Sequence, residues 1–369
     1  MYRRRVGSTL AIAVVAILAA SGVRTFGQAP AQPPAQERTA AQAAAQAAAQ
    51  AAAEQHAKEI EAALLKMHLP NPYNDATEDW AKLPEGRKWG APSKVYIDPD
   101  GKNLWVAERC GGDAFGCLGK TVDPILKFDP SGKLVKSFGG GLLVFPHGLH
   151  VDKDGNVWVT DGHGKDGKGH QVHKFSPDGK LLLTLGKAGT TGDGPDTFNQ
   201  PPDVAIAPNG DIFVSDGHQG CNCSSRIVKF SKDGKFIKAF GQKGTGPGDL
   251  QDPHCLVFDS QGRLFVCDRR NDRVEIFDQD GKYIDAWSQF GRPSGLFISK
   301  DDTLYVAEQE LGIIIGSAKD GKITAYVPTP IPPPGTRRRG AESVTIDAAG
   351  NLYTGEIGAF KLMKYTKKK

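Results

Sequence analysis

The sequence predicts an all-β protein, a six-bladed β-propeller of four-stranded blades. Three observations predict it. A phrase made of an apolar run, a tight turn and a second alternating run occurs six times. Its turn positions, Gly101, Gly155, Gly210, Gly262, Asp302 and Gly350, are separated by 54, 55, 52, 40 and 48 residues. A second turn follows in five copies, as DPSGK from 129, SPDGK from 176, SKDGK from 231, DQDGK from 278 and AKDGK from 318. Two hairpins per copy make four antiparallel strands, and units of that kind at this period are propeller blades rather than helical solenoid turns. A two-sheet sandwich is the rival, and six equal repeats argue against it.

The clearest copy is FPHGLHVDKDGNVWVTDG, Phe145 to Gly162. Asp-Gly between two β-favouring runs reads as a hairpin because glycine tolerates the positive φ of a tight turn. The other copies begin at Val95, Val204, Leu256, Leu296 and Val344. The last stops after its third strand, FKLMKY from Phe360, so its fourth is expected from the chain around Trp80 to Trp89, which would close the ring.

Residues 1–28 read as a secretory signal peptide: Arg3, Arg4 and Arg5, an apolar core from Leu10 to Ala20, then small residues. The apolar run is shorter than the roughly 20 residues of a membrane span. The expected location is therefore secreted or periplasmic, with membrane contact only if this segment stays uncleaved. Residues 29–72 form a linker, first an Ala/Gln/Pro tract that cannot build a core. A short amphipathic helix follows over Ala53 to Met67, with Ile60, Leu64 and Leu65 on one side. The propeller occupies 73–369.

The formal charge is +4, but Arg3, Arg4, Arg5 and Arg24 lie in the signal, and without them 42 basic residues face 42 acidic ones. No basic stripe points to nucleic acid. A monomer is expected. The six cysteines suit an oxidising compartment. Cys110 with Cys117, and Cys255 with Cys267, are placed to bridge; Cys221 and Cys223 are too close to pair comfortably with each other.

Eight residues before each first turn lies the start of the innermost strand. In ring order this position holds Ser93, His147, Pro202, His254, Ser294 and Glu342. The metal-binding types fall on alternate blades, about 120° apart on the axis that innermost strands line. Two imidazoles and a carboxylate suit a divalent first-row ion with open positions, zinc first. The alternative is that the histidines cap channel strands and Glu342 pairs with an arginine. The second strands all end in an acid: Glu108, Asp161, Asp216, Asp268, Glu308 and Glu356. An acid in every blade is most simply structural, accepting loop amides. Arg109 and Arg269 follow two of them and emerge on the same face as the His/His/Glu set, where an arginine fork suits a substrate carboxylate. A salt bridge to nearby acids is the other reading. Long loops on this rim carry, in or just after them, His163, His170, His173 and His218; each reads singly as a solvated loop histidine, and the other reading is that His218 reaches the axis as a general base.

The motifs FPHGLxxDxDGNxWVTD from 145, VSDG…SRIVKF over 214–230, and DPHCL with CDRRNDRV over 252–274 resemble the NHL class of propeller and, more closely, the peptidyl-α-hydroxyglycine α-amidating lyase family. That resemblance implies a six-bladed propeller with axial zinc held by histidines of three blades, two of them matching His147 and His254. It also implies carboxylate-binding roles for Arg109 and Arg269. The third zinc histidine falls where this chain has Glu342. The acid after it, a calcium contact in the family, is Ser343, which puts a structural calcium in doubt. The family's catalytic tyrosine is replaced by the insertion beginning at His218.

The function expected is an exported metal-binding propeller acting as a carbon–nitrogen lyase on a small carboxylate-bearing or peptide substrate of α-hydroxyglycine type. The alternatives are a non-catalytic propeller that binds peptide, glycan or protein, and a metal-dependent hydrolase or lactonase.

Overall fold

The computed structural model describes residues 58–112, 115–218, 225–328 and 340–369, with a few helical positions from 44 to 56. Residues 1–28, where a signal peptide is expected, nearly all of the Ala/Gln tract, Cys221 and Cys223 lie outside the described residues. Residues 51–369 form one compact unit, and the propeller lies within it.

The first blade is β1 (Pro92–Ile97), β2 (Leu104–Glu108), β3 (Ile125–Phe128) and β4 (Leu134–Phe138). The second is β5 (Pro146–Val151), β6 (Val157–Lys165), β7 (Lys168–Phe175) and β8 (Leu181–Leu185). The third is β9 (Val204–Ile206), β10 (Ile212–Asp216), β11 (Arg226–Phe230) and β12 (Phe236–Phe240). The fourth is β13 (Pro253–Phe258), β14 (Leu264–Asp268), β15 (Arg273–Phe277) and β16 (Tyr283–Trp287). The fifth is β17 (Pro293–Ile298), β18 (Thr303–Glu308), β19 (Gly312–Ser317) and β20 (Ile323–Pro328). The sixth is β21 (Ala341–Ile346), β22 (Leu352–Glu356) and β23 (Lys361–Tyr365). Each sheet pairs antiparallel in chain order, and the first strands touch around a closed ring, β1–β5–β9–β13–β17–β21 and back to β1.

An aromatic residue just after each first turn wedges the blades apart at a fixed angle. Trp105, Trp158, Phe213, Phe265 and Tyr353 are buried there, and Tyr305 packs alongside. In three blades the acid that opens the turn takes the polar tip of the ring. Trp105 Nε1 donates to Asp98 at 2.8 Å, Trp158 Nε1 to Asp152 at 3.1 Å and the Tyr353 hydroxyl to Asp347 at 2.9 Å. The acid thus satisfies a donor that burial would strand, while the ring contributes the large apolar area. Asp302, which stands where the other turns have glycine, has φ 63° and is tied by its carboxylate to Ser260 N and Oγ at 3.0 and 2.7 Å. Aspartate tolerates the left-handed region better than most residues.

The ring closes differently from the expectation. The segment beside β23 is 73–77, not Trp80 to Trp89: Thr77 and Lys364 exchange both backbone hydrogen bonds, and Asn74 N donates to Thr366 O. Trp80 and Trp89 instead pack into the apolar cluster between the sixth and first blades, against Phe128, Tyr353 and Leu362. Their aromatic content marks packing and not strand pairing. The N-terminal helix runs through 58–66, with Leu64 buried and Ile60 packed against the cluster of blades four and five. Leu65 is 62% exposed, not on the inward side, because one residue turns a helix by about 100°. Both expected disulfides are formed, Cys110–Cys117 and Cys255–Cys267.

One residue below the ligand level, Lys94 of the first blade reaches Asp203 of the third at 2.6 Å. Both side chains are buried, and Asp203 Oδ1 has no hydrogen-bond partner. Removing one member of such a pair strands the other charge. Lys94→Met is expected to destabilise the propeller by about 3–5 kcal/mol in denaturant unfolding, with part of the loss recovered by adding Asp203→Asn.

Candidate metal centre

His147, His254 and Glu342 are each the second residue of an innermost strand, β5, β13 and β21. The pairing register shifts at this point in all three, between Pro146 and Leu149, Pro253 and Leu256, and Ala341 and Ser343. A bulge of this kind re-aims a side chain, and here the three meet. His254 Nε2 lies 3.2 Å and His147 Nε2 3.7 Å from Glu342 Oε1. All three are buried.

The intervening blades orient these imidazoles. His147 Nδ1 bonds the Pro202 carbonyl at 2.8 Å and His254 Nδ1 bonds the Ser294 carbonyl at 2.7 Å. A carbonyl can only accept, so each Nδ1 carries a proton and each Nε2 is left facing the centre, the orientation that ligating histidines have. The two Nε2 atoms and Glu342 Oε2 have no hydrogen-bond partner. His147 is held neutral, first by burial, with the Arg109 charge acting in the same direction, so its Nε2 presents a lone pair. Burial would raise the Glu342 carboxyl, but His254, Arg269 and His147 hold it well below the usual carboxylate range. A buried lone pair on His147 therefore faces a buried anion, an arrangement that suits a cation. A tetrahedral ion with arms of about 2.0–2.2 Å sets neighbouring donors about 3.3–3.6 Å apart, and the two observed spacings bracket that range. The donor set fits a divalent metal.

His218, just beyond β10, enters the same cluster. Ligand atoms of His147, His218 and His254 all lie within 4.8 Å of one another, so three buried histidines form a possible metal site. Arg269 Nη2 donates to His218 Nε2 at 3.4 Å, and no carbonyl pins the ring, whose Nδ1 lacks a partner. Burial first, with the Arg269 charge acting the same way, pushes its pKa well below the ordinary value.

Both arginines reach the site. Arg269 is buried, with Nε and Nη2 each 2.9 Å from Asp252 Oδ2 and Nη1 3.7 Å from Glu342 Oε1. Glu342 thus faces both the two histidines and an arginine. The Arg109 guanidinium lies 3.9 Å over the Phe145 ring, and its charge lowers the pKa of His147 and His163. His163 packs edge-on to Phe145 at 4.3 Å and to His218 at 5.4 Å. His173 instead bonds Thr184 between the outer strands, and His170 packs against Gly164 in the long β6–β7 hairpin. The three consecutive arginines Arg337, Arg338 and Arg339, between the fifth and sixth blades in sequence, lie outside the described residues.

In five blades the acid ending the second strand accepts loop amides, Asp216 that of Asn199 among them, whereas Glu356 accepts the Thr354 hydroxyl. Glu108 accepts the Gly90 amide, Asp161 those of Val144 and Phe145, Asp268 that of Gln251, and Glu308 those of Arg292, Glu310 and Leu311. Sequence reasoning missed Asp252, the carbonyls of Pro202 and Ser294, and Phe145. Asp252 stands two residues before His254, the one signal that could have flagged it.

The model of the NHL repeat matches residues 250–277. Human NHL repeat-containing protein 3 is 30% identical over 310 residues, covering 78% of this chain and 82% of that protein. The chain belongs to the NHL-repeat family. This NHL propeller is also similar to the peptidyl-glycine alpha-amidating monooxygenase of mouse, 42% identical over 169 residues. That match covers 43% of the chain but only 16% of the mouse protein. A peptidyl-alpha-hydroxyglycine alpha-amidating lyase of Drosophila melanogaster is 40% identical over 167 residues, 42% of the chain and 29% of the relative. A gluconolactonase structure from Xanthomonas campestris superposes with a TM-score of 0.55 at 17% identity, over 81% of this chain and 100% of that one, a likeness of fold alone.

Proposed function

We propose that this NHL propeller is an exported, metal-dependent lyase that cleaves the carbon–nitrogen bond of an α-hydroxyglycine derivative, releasing glyoxylate and an amide. The observation that carries the reading is the convergence of two tautomer-fixed imidazoles and Glu342 beside two arginines. The similarity to an amidating lyase supports the reaction, and the two disulfides support export.

His147, His254 and Glu342 would hold the ion, zinc first among the candidates. When bound, it supplies Lewis acidity that lowers the pKa of a substrate hydroxyl. Arg269 and Arg109 bind the substrate carboxylate and so fix the α-carbon over the cluster. His218, neutral in the buried site, accepts the hydroxyl proton on Nε2 as Arg269 turns from that atom to the substrate carboxylate, which also offsets part of the positive charge that depresses the ring. As the hydroxyl oxygen becomes the carbonyl of glyoxylate, the C–N bond breaks, and its electron pair and a proton go to the amide nitrogen. His218 thereby fills the place of the tyrosine that the resembled family uses.

The metal-loaded protein is expected to release glyoxylate from N-acetyl-α-hydroxyglycine. A protein carrying one ion per chain that releases none leaves the non-catalytic binding propeller as the function. Arg109→Lys keeps the charge but loses the planar fork, and is expected to raise KM about tenfold with little change in kcat, as loss of uniform binding does.

A further inference from the structure

The rim above the metal centre carries an apolar side chain that the fold does not need. Phe115 sits on the loop closed by the Cys110–Cys117 disulfide, whose Cα atoms are 5.0 Å apart, and it is 40% exposed. Its ring meets His163 edge-on at 5.9 Å. His163 in turn meets Phe145 at 4.3 Å, and Phe145 lies beneath Arg109. Lys165 lies 5.2 Å over the Phe115 ring. A run of three rings therefore leads from solvent to the arginine that holds the carboxylate. The disulfide limits the freedom of the loop that presents the outermost ring, so little ordering entropy remains to be lost on binding. Exposed aromatic area at the mouth of a polar site gains from covering by an apolar group, and face-to-edge contacts add to that gain.

We infer that Phe115, His163 and Phe145 form a specificity subsite for an aromatic or large apolar group carried on the substrate nitrogen. The inference rests on the lyase reading for one point, that the carboxylate end of the substrate lies at Arg109 and Arg269. The opposite, acylated end then projects along the rings toward the rim. A small acyl group would leave Phe115 in water.

The test measures binding apart from turnover. N-benzoylglycine and N-acetylglycine carry the carboxylate and the acyl group but lack the reacting hydroxyl. Titrated calorimetrically into the zinc-loaded full chain, the benzoyl compound is expected to bind about tenfold more tightly, the range one apolar contact surface commands. Phe115→Ala should bring the two affinities within about twofold by weakening the benzoyl compound alone, and Phe115→Leu should fall between. Being exposed, Phe115 should leave the thermal midpoint unchanged when replaced. Equal binding of both ligands by the unaltered protein, binding of neither, or an undiminished preference in Phe115→Ala overturns the subsite. A preserved preference with no glyoxylate released from N-benzoyl-α-hydroxyglycine sinks the lyase reaction and leaves the subsite standing.

Discussion

His254→Ala is expected to take the purified protein from about one bound divalent ion per chain to almost none, read by elemental analysis after dialysis. The imidazole does more than donate. Its Nδ1 is fixed at 2.7 Å to Ser294 O and its Nε2 is the closest donor to Glu342, at 3.2 Å. Its loss leaves His147 and Glu342 3.7 Å apart with an open side to the channel. His218→Ala separates two ligand sets. If His147, His254 and Glu342 hold the ion, this variant keeps it and loses turnover; if the three histidines hold it, the metal is lost too. Acidity gives a second reading. Metal binding needs unprotonated imidazole, and the folded-state pKa values of His147 and His218 are depressed. Protons therefore compete at these two groups only below the ordinary imidazole range. An unshifted imidazole would be half protonated near pH 6.5 and weaken binding about twofold for each such ligand. Protonation of His147 and His218 themselves, followed by NMR of the metal-free protein, should therefore begin only below that pH. Titration of either ring centred on pH 6.5 would contradict its buried, neutral state.

The ring and its register were legible because they repeat. A turn every 40 to 55 residues fixes the blades, and equivalent positions on alternate blades fix His147, His254 and Glu342 toward one axis. Side-chain identity carries that information. What stayed hidden is carried by backbone. Pro202 and Ser294 occupy the non-ligand positions of the same series, and their carbonyls aim the two imidazoles; a carbonyl leaves no mark in a sequence. Strand closure was misplaced for a related reason. Pairing depends on which amides face the free edge of β23, and Thr77 supplies them, whereas Trp80 and Trp89 advertise only the need for burial. His163 looked like a solvated loop residue until the packing of Phe145 and His218 around it was in view.

Arg269→Ala is expected to damage both the fold and the site, and Arg269→Lys to separate the two. The guanidinium is 2% exposed and lies against two buried carboxylates, Asp252 and Glu342. Asp252 itself is held at φ 65° with one carboxylate oxygen lacking a partner. Truncation to alanine leaves that anion buried without its neutralising charge, a loss of about 3–5 kcal/mol, so the alanine variant should unfold well below the parent. Lysine restores a positive charge near Asp252 and should recover most of that stability. It cannot restore the planar fork with which an arginine engages Asp252 and a second carboxylate together. Arg269→Lys should therefore fold, retain its metal, and raise KM for an α-hydroxyglycine substrate by about tenfold or more. A lysine variant with unchanged KM would mean that Arg269 only braces Asp252 and Glu342. The substrate carboxylate would then rest on Arg109 alone, with the Phe145 ring beneath it.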